Sequence, residues 1–118
     1  LALFYADHDL RPAWALRIAM HEYETRKDIY TADALAWAAL KARDVALSTT
    51  TMTRALRLGT PDPRLYYHGA VIARAAGDER LAQRRLARVF SLNPMFDVVH
   101  GPMARRMKTP RGNGSLIR

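Results

Sequence analysis

Apolar residues recur every three or four positions along most of this chain, and nowhere do they alternate over a useful length. The clearest stretch opens at Asp62-Pro63, an N-cap followed by a proline in the first helical turn, where a missing N–H costs nothing. Tyr66, Tyr67, Ala70, Ile72 and Ala73 continue it to Gly77, which suits a left-handed helix stop. Asp78 is placed to cap the next helix, whose apolar stripe is Leu81, Ala82, Leu86, Val89 and Phe90. Asn93-Pro94 ends that helix, because the residue before a proline avoids helical geometry. Upstream, 11–26, 29–42 and 45–58 read as three further helices. The pattern predicts an all-α fold.

A shift of 34 residues superimposes the chain on itself. Ala36, Ala39, Ala42, Asp44, Leu47, Arg54 and Leu58 fall on Ala70, Ala73, Ala76, Asp78, Leu81, Arg88 and Leu92. A helix–turn–helix unit of that period is a solenoid signature.

These residues resemble the tetratricopeptide repeat. Residues 63–96 follow its pattern through Tyr66, Gly69-Ala70, the Gly77-Asp78 turn, Ala82, Leu86 and Pro94. Residues 29–62 follow it more loosely, through Leu35-Ala36, Ala39, Ser48, Met52 and Ala55, with Pro61 one place late. Pro12 to about Arg26 looks like the second helix of a truncated earlier unit. The wording ADHDLRP, RKDIYTADALAWA and RALRLGTPD is similar to bacterial tetratricopeptide proteins. The resemblance implies a right-handed superhelix of antiparallel helix pairs, an α-solenoid over 1–108. Its parts would be a partial repeat 1–28, repeats 29–62 and 63–96, and a short cap 97–108 broken at Gly101-Pro102. A flexible tail, 109–118, would follow.

The small residues have a physical job in such a stack. Ala36 and Ala70 lie where helices cross closely, and a longer side chain would push the axes beyond the usual ~8–10 Å; Ser48 and Ala82 act in the same way from the second helix. Two departures weaken the first full unit. Arg43 stands where the turn glycine belongs, and Ser48, Thr49, Thr50, Thr51 and Thr53 are poor helix formers, which puts the regularity of helix 45–58 in doubt.

Composition adds less. With no cysteine there is no disulfide framework and no thiolate metal site. No apolar run is long enough for a membrane span. The chain starts at Leu1 without a basic-then-apolar leader and reads as a piece of a longer protein, so its compartment stays unassigned. The net charge of +8 lies entirely beyond Glu79: residues 80–118 hold nine basic residues against the single acid Asp97. Such an end attracts acidic proteins, nucleic acid or anionic lipid, or simply keeps the surface solvated.

Candidate chemistry is thin. His8, His21, His68 and His100 lack the spacing of zinc ligands, Asp7-His8-Asp9 reads as a polar turn, and no glycine loop is arranged to cradle phosphate. The expectation is a protein that is not an enzyme and needs no cofactor. The resemblance implies that partner peptides lie along a concave groove lined by the first helix of each unit. On helical spacing Tyr30, Asp33, Trp37 and Lys41 share one such face, and Arg64, Tyr67, Val71 and Arg74 share the next. Aromatic bodies flanked by cations suit an extended, partly acidic peptide; burial between units is the competing reading of Trp37 and Tyr67. The lysine- and asparagine-rich groove of chaperone-tail binders is not matched, since Asp33, Trp37, His68, Val98 and Pro102 stand at its places. The leading expectation is therefore a protein-interaction scaffold. The alternative is a binder of nucleic acid or anionic surfaces through Arg80, Arg84, Arg85, Arg88, Arg105, Arg106 and Lys108, without the helix-turn-helix context that would place base-reading side chains. An incomplete first unit and an interrupted cap expose apolar ends, which predicts a homodimer, or an end-to-end packed pair, at high concentration.

Overall fold

A computed structural model describes residues 11–96. The partial unit's first ten residues, the cap at 97–108 and the tail at 109–118 lie outside them, as do Arg105, Arg106 and Lys108. The described residues are all-helical, with no strand among them: α1 (Pro12–Arg26), α2 (Ile29–Lys41), α3 (Val45–Leu56), α4 (Pro63–Ala75) and α5 (Glu79–Leu92). None of these helices is long and apolar enough to cross a membrane. The chain divides into two compact units between Gly59 and Thr60.

In the first unit α2 packs against both α1 and α3. That double cover buries eight of the thirteen residues of α2. Alanines make the close approach possible: Ala15 and Ala19 of α1 and Ala36, Ala38 and Ala39 of α2 are fully buried. Asp28 starts α2 with a capping box, its carboxylate accepting the Thr31 N–H at 2.7 Å while the Thr31 hydroxyl oxygen accepts the Asp28 N–H at 3.1 Å. Ser48, in α3, donates its hydroxyl to the Ala36 carbonyl at 2.7 Å, which ties the second turn of α2 from its end to the first turn of α3. Only an antiparallel hairpin brings those two turns together.

The second unit is the α4–α5 hairpin, again antiparallel: Arg85 Nη1 reaches the Gly69 carbonyl at 2.9 Å. Ala70, Leu86, Val89 and Phe96 form its core, with Tyr66, Tyr67, Val71 and Phe90 packed around them. Phe96, just past the turn at Asn93-Pro94, folds back and is almost fully buried.

The two units repeat each other in hydrogen bonding as well as in sequence. Asp28 and Asp62, 34 residues apart, are the N-caps of α2 and α4. The C-terminal turns match bond for bond. Asp44 N–H donates to the Ala39 carbonyl at 2.8 Å and Asp78 N–H to the Ala73 carbonyl at 2.9 Å, while Arg43 and Gly77 N–H donate to the Leu40 and Arg74 carbonyls, both at 3.0 Å. This is the Schellman turn. Asp44 and Asp78 then cap the following helices through the Leu47 and Leu81 N–H groups. One aspartate thus closes one helix and opens the next.

The helix in doubt at 45–58 runs unbroken from Val45 to Leu56, its poor formers carried by packing against α2. Ser48, Thr51, Met52 and Ala55 are buried and Ser48 donates to the Ala36 carbonyl, while the exposed Thr50 and Thr53 donate to the Ala46 and Thr49 carbonyls. Its end comes two residues earlier than the sequence pattern suggests, in a turn closed by Gly59 at φ 68°.

The left-handed turn position is occupied by Arg43 at φ 67° in one unit and by Gly77 at φ 84° in the other. A Cβ costs energy at such angles, and glycine avoids that cost. Gly77→Ala should therefore destabilise the protein by about 1 kcal/mol, and Arg43→Gly should stabilise it by roughly 0.5–1 kcal/mol, in thermal unfolding. The alanine at 77 meets nothing within 4 Å, so its cost would be conformational alone. A lowered midpoint for Arg43→Gly would mean that the arginine side chain outweighs the strain of its backbone.

Candidate functional site

The face predicted on α2 splits in two. Tyr30 stands out, 54% exposed, in the first turn. Asp33 and Trp37, one and two turns further on, are only 6% and 9% exposed. Trp37 is a core residue, because α2 is covered from both sides, and Lys41 lies over its ring with Nζ 5.6 Å from the centroid. The cation closes the indole off and extends its packing. Of the four residues, Tyr30 is the one left to meet a partner broadly.

The face on α4 divides in the same way. Arg64 is exposed. Tyr67 is half-buried, stacked at a tilt on Phe96 with ring centroids 5.3 Å apart, and burial pushes its hydroxyl pKa above the ordinary value. Val71 packs on the unit's core. Arg74 is engaged at two points with Glu79, Nε to Oε1 at 2.9 Å and Nη2 to Oε2 at 2.5 Å, and Gln83 adds a bond to the same carboxylate. This pair staples the end of α4 to the start of α5, so Arg74 serves the hairpin.

Of the basic residues of α5, Arg80, Arg84 and Arg88 are exposed at four-residue spacing along one helix face. Arg85 turns inward to the Gly69 carbonyl, and burial lowers its pKa from the ordinary arginine value. Arg88 lies over Tyr66, its guanidinium carbon 5.7 Å from the ring centre. Arg80 and Arg84 are exposed and have no acidic partner within ion-pair distance among the described residues. Arg85 is thus the member of the basic set on α5 that serves the hairpin, while Arg84 and Arg88 stay exposed one turn apart.

An open cavity that the sequence pattern does not reveal lies at the surface of the first unit, where the end of α1, the start of α2 and the end of α3 converge; Lys27, Asp28, Arg54, Arg57 and Leu58 are exposed around it. It measures about 440 Å³, within the range of small-ligand pockets. Tyr23, Ile29, Ala32 and Leu58 give it apolar walls, and Lys27, Arg54 and Arg57 give it three cations. The one carboxylate is Asp28, whose pKa is lowered first by its bond from the Thr31 N–H; Arg26 adds to this from 3.7 Å. None of the three cations has an ion-pair partner among the described residues. Arg54 and Arg57 lie 26 and 29 residues from Asp28 in the chain, so no local spacing could have grouped them. A second apolar spot, on α1, holds Trp14 with Arg17 over its ring at 5.3 Å.

Among the described residues no group of three or more histidine, aspartate or glutamate side chains is placed to hold a metal ion. No protein-family model, no curated protein and no solved structure matches the chain.

Proposed function

We propose that this protein is a tetratricopeptide-like interaction module that binds another polypeptide through outward-facing residues of α2 and α4. The observation that carries this reading is a contrast between framework and decoration. Caps, Schellman turns and buried alanines recur at 34 residues in both units. At the same spacing the exposed Tyr30 changes to the exposed Arg64, and Lys41, over the Trp37 ring, to the exposed Ala75. A frame held constant while its outer residues diverge suits a scaffold that presents a specific surface. Repeat stacks use their surfaces in this way. Tyr30 and Arg64 are the residue types that dominate interface energies, and both are accessible.

The test is selection of binders from a random peptide library displayed on phage, followed by titration of the peptides recovered. Tyr30→Ala and Arg64→Ala should each weaken binding by about 1–3 kcal/mol. Arg80→Ala and Arg84→Ala should act mainly on association rate and salt dependence. Recovery of no peptide would remove the reading. So would tight retention of polynucleotide with a steep salt slope that disappears on replacing Arg80 and Arg84, since that is the behaviour of a phosphate binder.

A further inference from the structure

We infer that the cavity between the end of α1, the start of α2 and the end of α3 receives an acidic side chain of a bound polypeptide together with an apolar neighbour. The inference rests on the interaction-module reading and assigns the chemistry of one of its contact points. It concerns the first unit alone.

Two features of the cavity support it. First, its charge is unbalanced. Lys27, Arg54 and Arg57 face a single carboxylate, Asp28, and Asp28 is already engaged by the Thr31 N–H at 2.7 Å and by Arg26 at 3.7 Å. Cations at the ends of α1 and α3 do complement the partial negative charge of the helix C-termini. Three full charges exceed what two such ends, roughly half a charge each, can balance. Second, the walls are apolar: Ile29 and Tyr23 line the cavity beside Leu58, which is 77% exposed. An anion alone would leave that surface uncovered, whereas an aliphatic or aromatic side chain next to the acid would cover it. Lys27 itself ends α1 at φ 49°, ψ 34°, a left-handed helix-stop position in which glycine would sit without strain.

Asp28 argues for a polypeptide over a nucleic acid. Its carboxylate can accept the backbone N–H of an extended peptide lying across the opening, and a phosphodiester backbone has no such donor to offer. The dimensions agree, since 440 Å³ takes side chains and not a duplex.

The experiment repeats the phage selection on the full chain and on its Arg54→Gln/Arg57→Gln variant, with circular dichroism as the folding control. Peptides from the unmodified protein should be enriched in Asp or Glu next to an aliphatic or aromatic residue, and the variant should lose that enrichment. A synthetic peptide of the selected sequence should bind the variant at least tenfold more weakly, following the removal of two charge-assisted contacts. Lys27→Gly should raise the thermal midpoint and at the same time lower the affinity, a combination that a structural role for Lys27 would not give. It also keeps the idea testable if the double variant does not fold. Peptides with no acidic preference, or with affinities indifferent to all three substitutions, would overturn the inference and leave the interaction-module reading standing. A selection that yields no peptide at all would remove both. Inorganic phosphate, titrated by NMR, should shift the cavity residues only weakly. If it occupies them as tightly as the peptide does, the cavity is a plain anion site and the inference fails.

Discussion

Trp37→Ala should cost the protein about 3–5 kcal/mol of stability, the loss usual for truncating a large buried aromatic. The sequence places Trp37 on a helix face that could bind a partner, but its ring is 9% exposed, enclosed in a unit where α2 is packed on both sides and Lys41 lies 5.6 Å over the indole. Removing it opens a hole in a unit whose buried core is mostly alanine, and an alanine has no side-chain length with which to fill it. A domain of this size has roughly 6–18 kcal/mol in total, so the loss should be plain in urea unfolding. Fluorescence offers a second readout. The other tryptophan, Trp14, is 48% exposed, so the variant's emission should shift to longer wavelength as the shielded indole is lost. The matching change in the second unit, Val71→Ala, should cost less, because Val71 is half-buried and smaller. A loss below about 1 kcal/mol for Trp37→Ala, within the range of surface substitutions and small truncations, would return Trp37 to the list of binding residues.

Ala70→Leu should destabilise by about 1–3 kcal/mol through overpacking. Ala70 is fully buried in the core formed with Leu86, Val89 and Phe96, and its counterpart one period earlier, Ala36, is fully buried as well, with its carbonyl accepting the Ser48 hydroxyl at 2.7 Å. A branched side chain at either place must push α4 from α5, or α2 from α3. Stretching those approaches also strains the bonds that cross them, Ser48 to Ala36 and Arg85 to Gly69. Ala87→Leu, which adds the same volume at an exposed position of α5, serves as the control and should stay within about 0.5 kcal/mol. An unchanged unfolding midpoint for Ala70→Leu would count heavily against the 34-residue register.

What the sequence determined by itself was the framework. Helix starts at Asp62 and Asp78, the stop at Gly77 and the end at Asn93-Pro94 were legible because caps, turn glycines and prolines act within three or four residues of themselves. The 34-residue shift was legible for the same reason: the local signals recur, and Asp44 and Asp78 close and open helices in the same way. Only the tertiary structure decided which side chains face outward. Nothing near Trp37 in the chain says that α1 and α3 cover its helix from both sides, while Tyr30, two turns away, remains exposed. Long arginines were the least legible. Arg74 and Arg85 carry the same charge as Arg64 and Arg80, but their reach allows Arg74 to find Glu79 and Arg85 to find the Gly69 carbonyl, so both were assigned to binding faces that they do not serve alone. The cavity was invisible for a related reason. Lys27 and Asp28 lie at the junction of α1 and α2, Arg54 and Arg57 at the end of α3, and only the folding back of α3 along α2 brings them together. A helix start is set by bonds between neighbours in the chain; a surface is set by what remains uncovered after distant segments have packed.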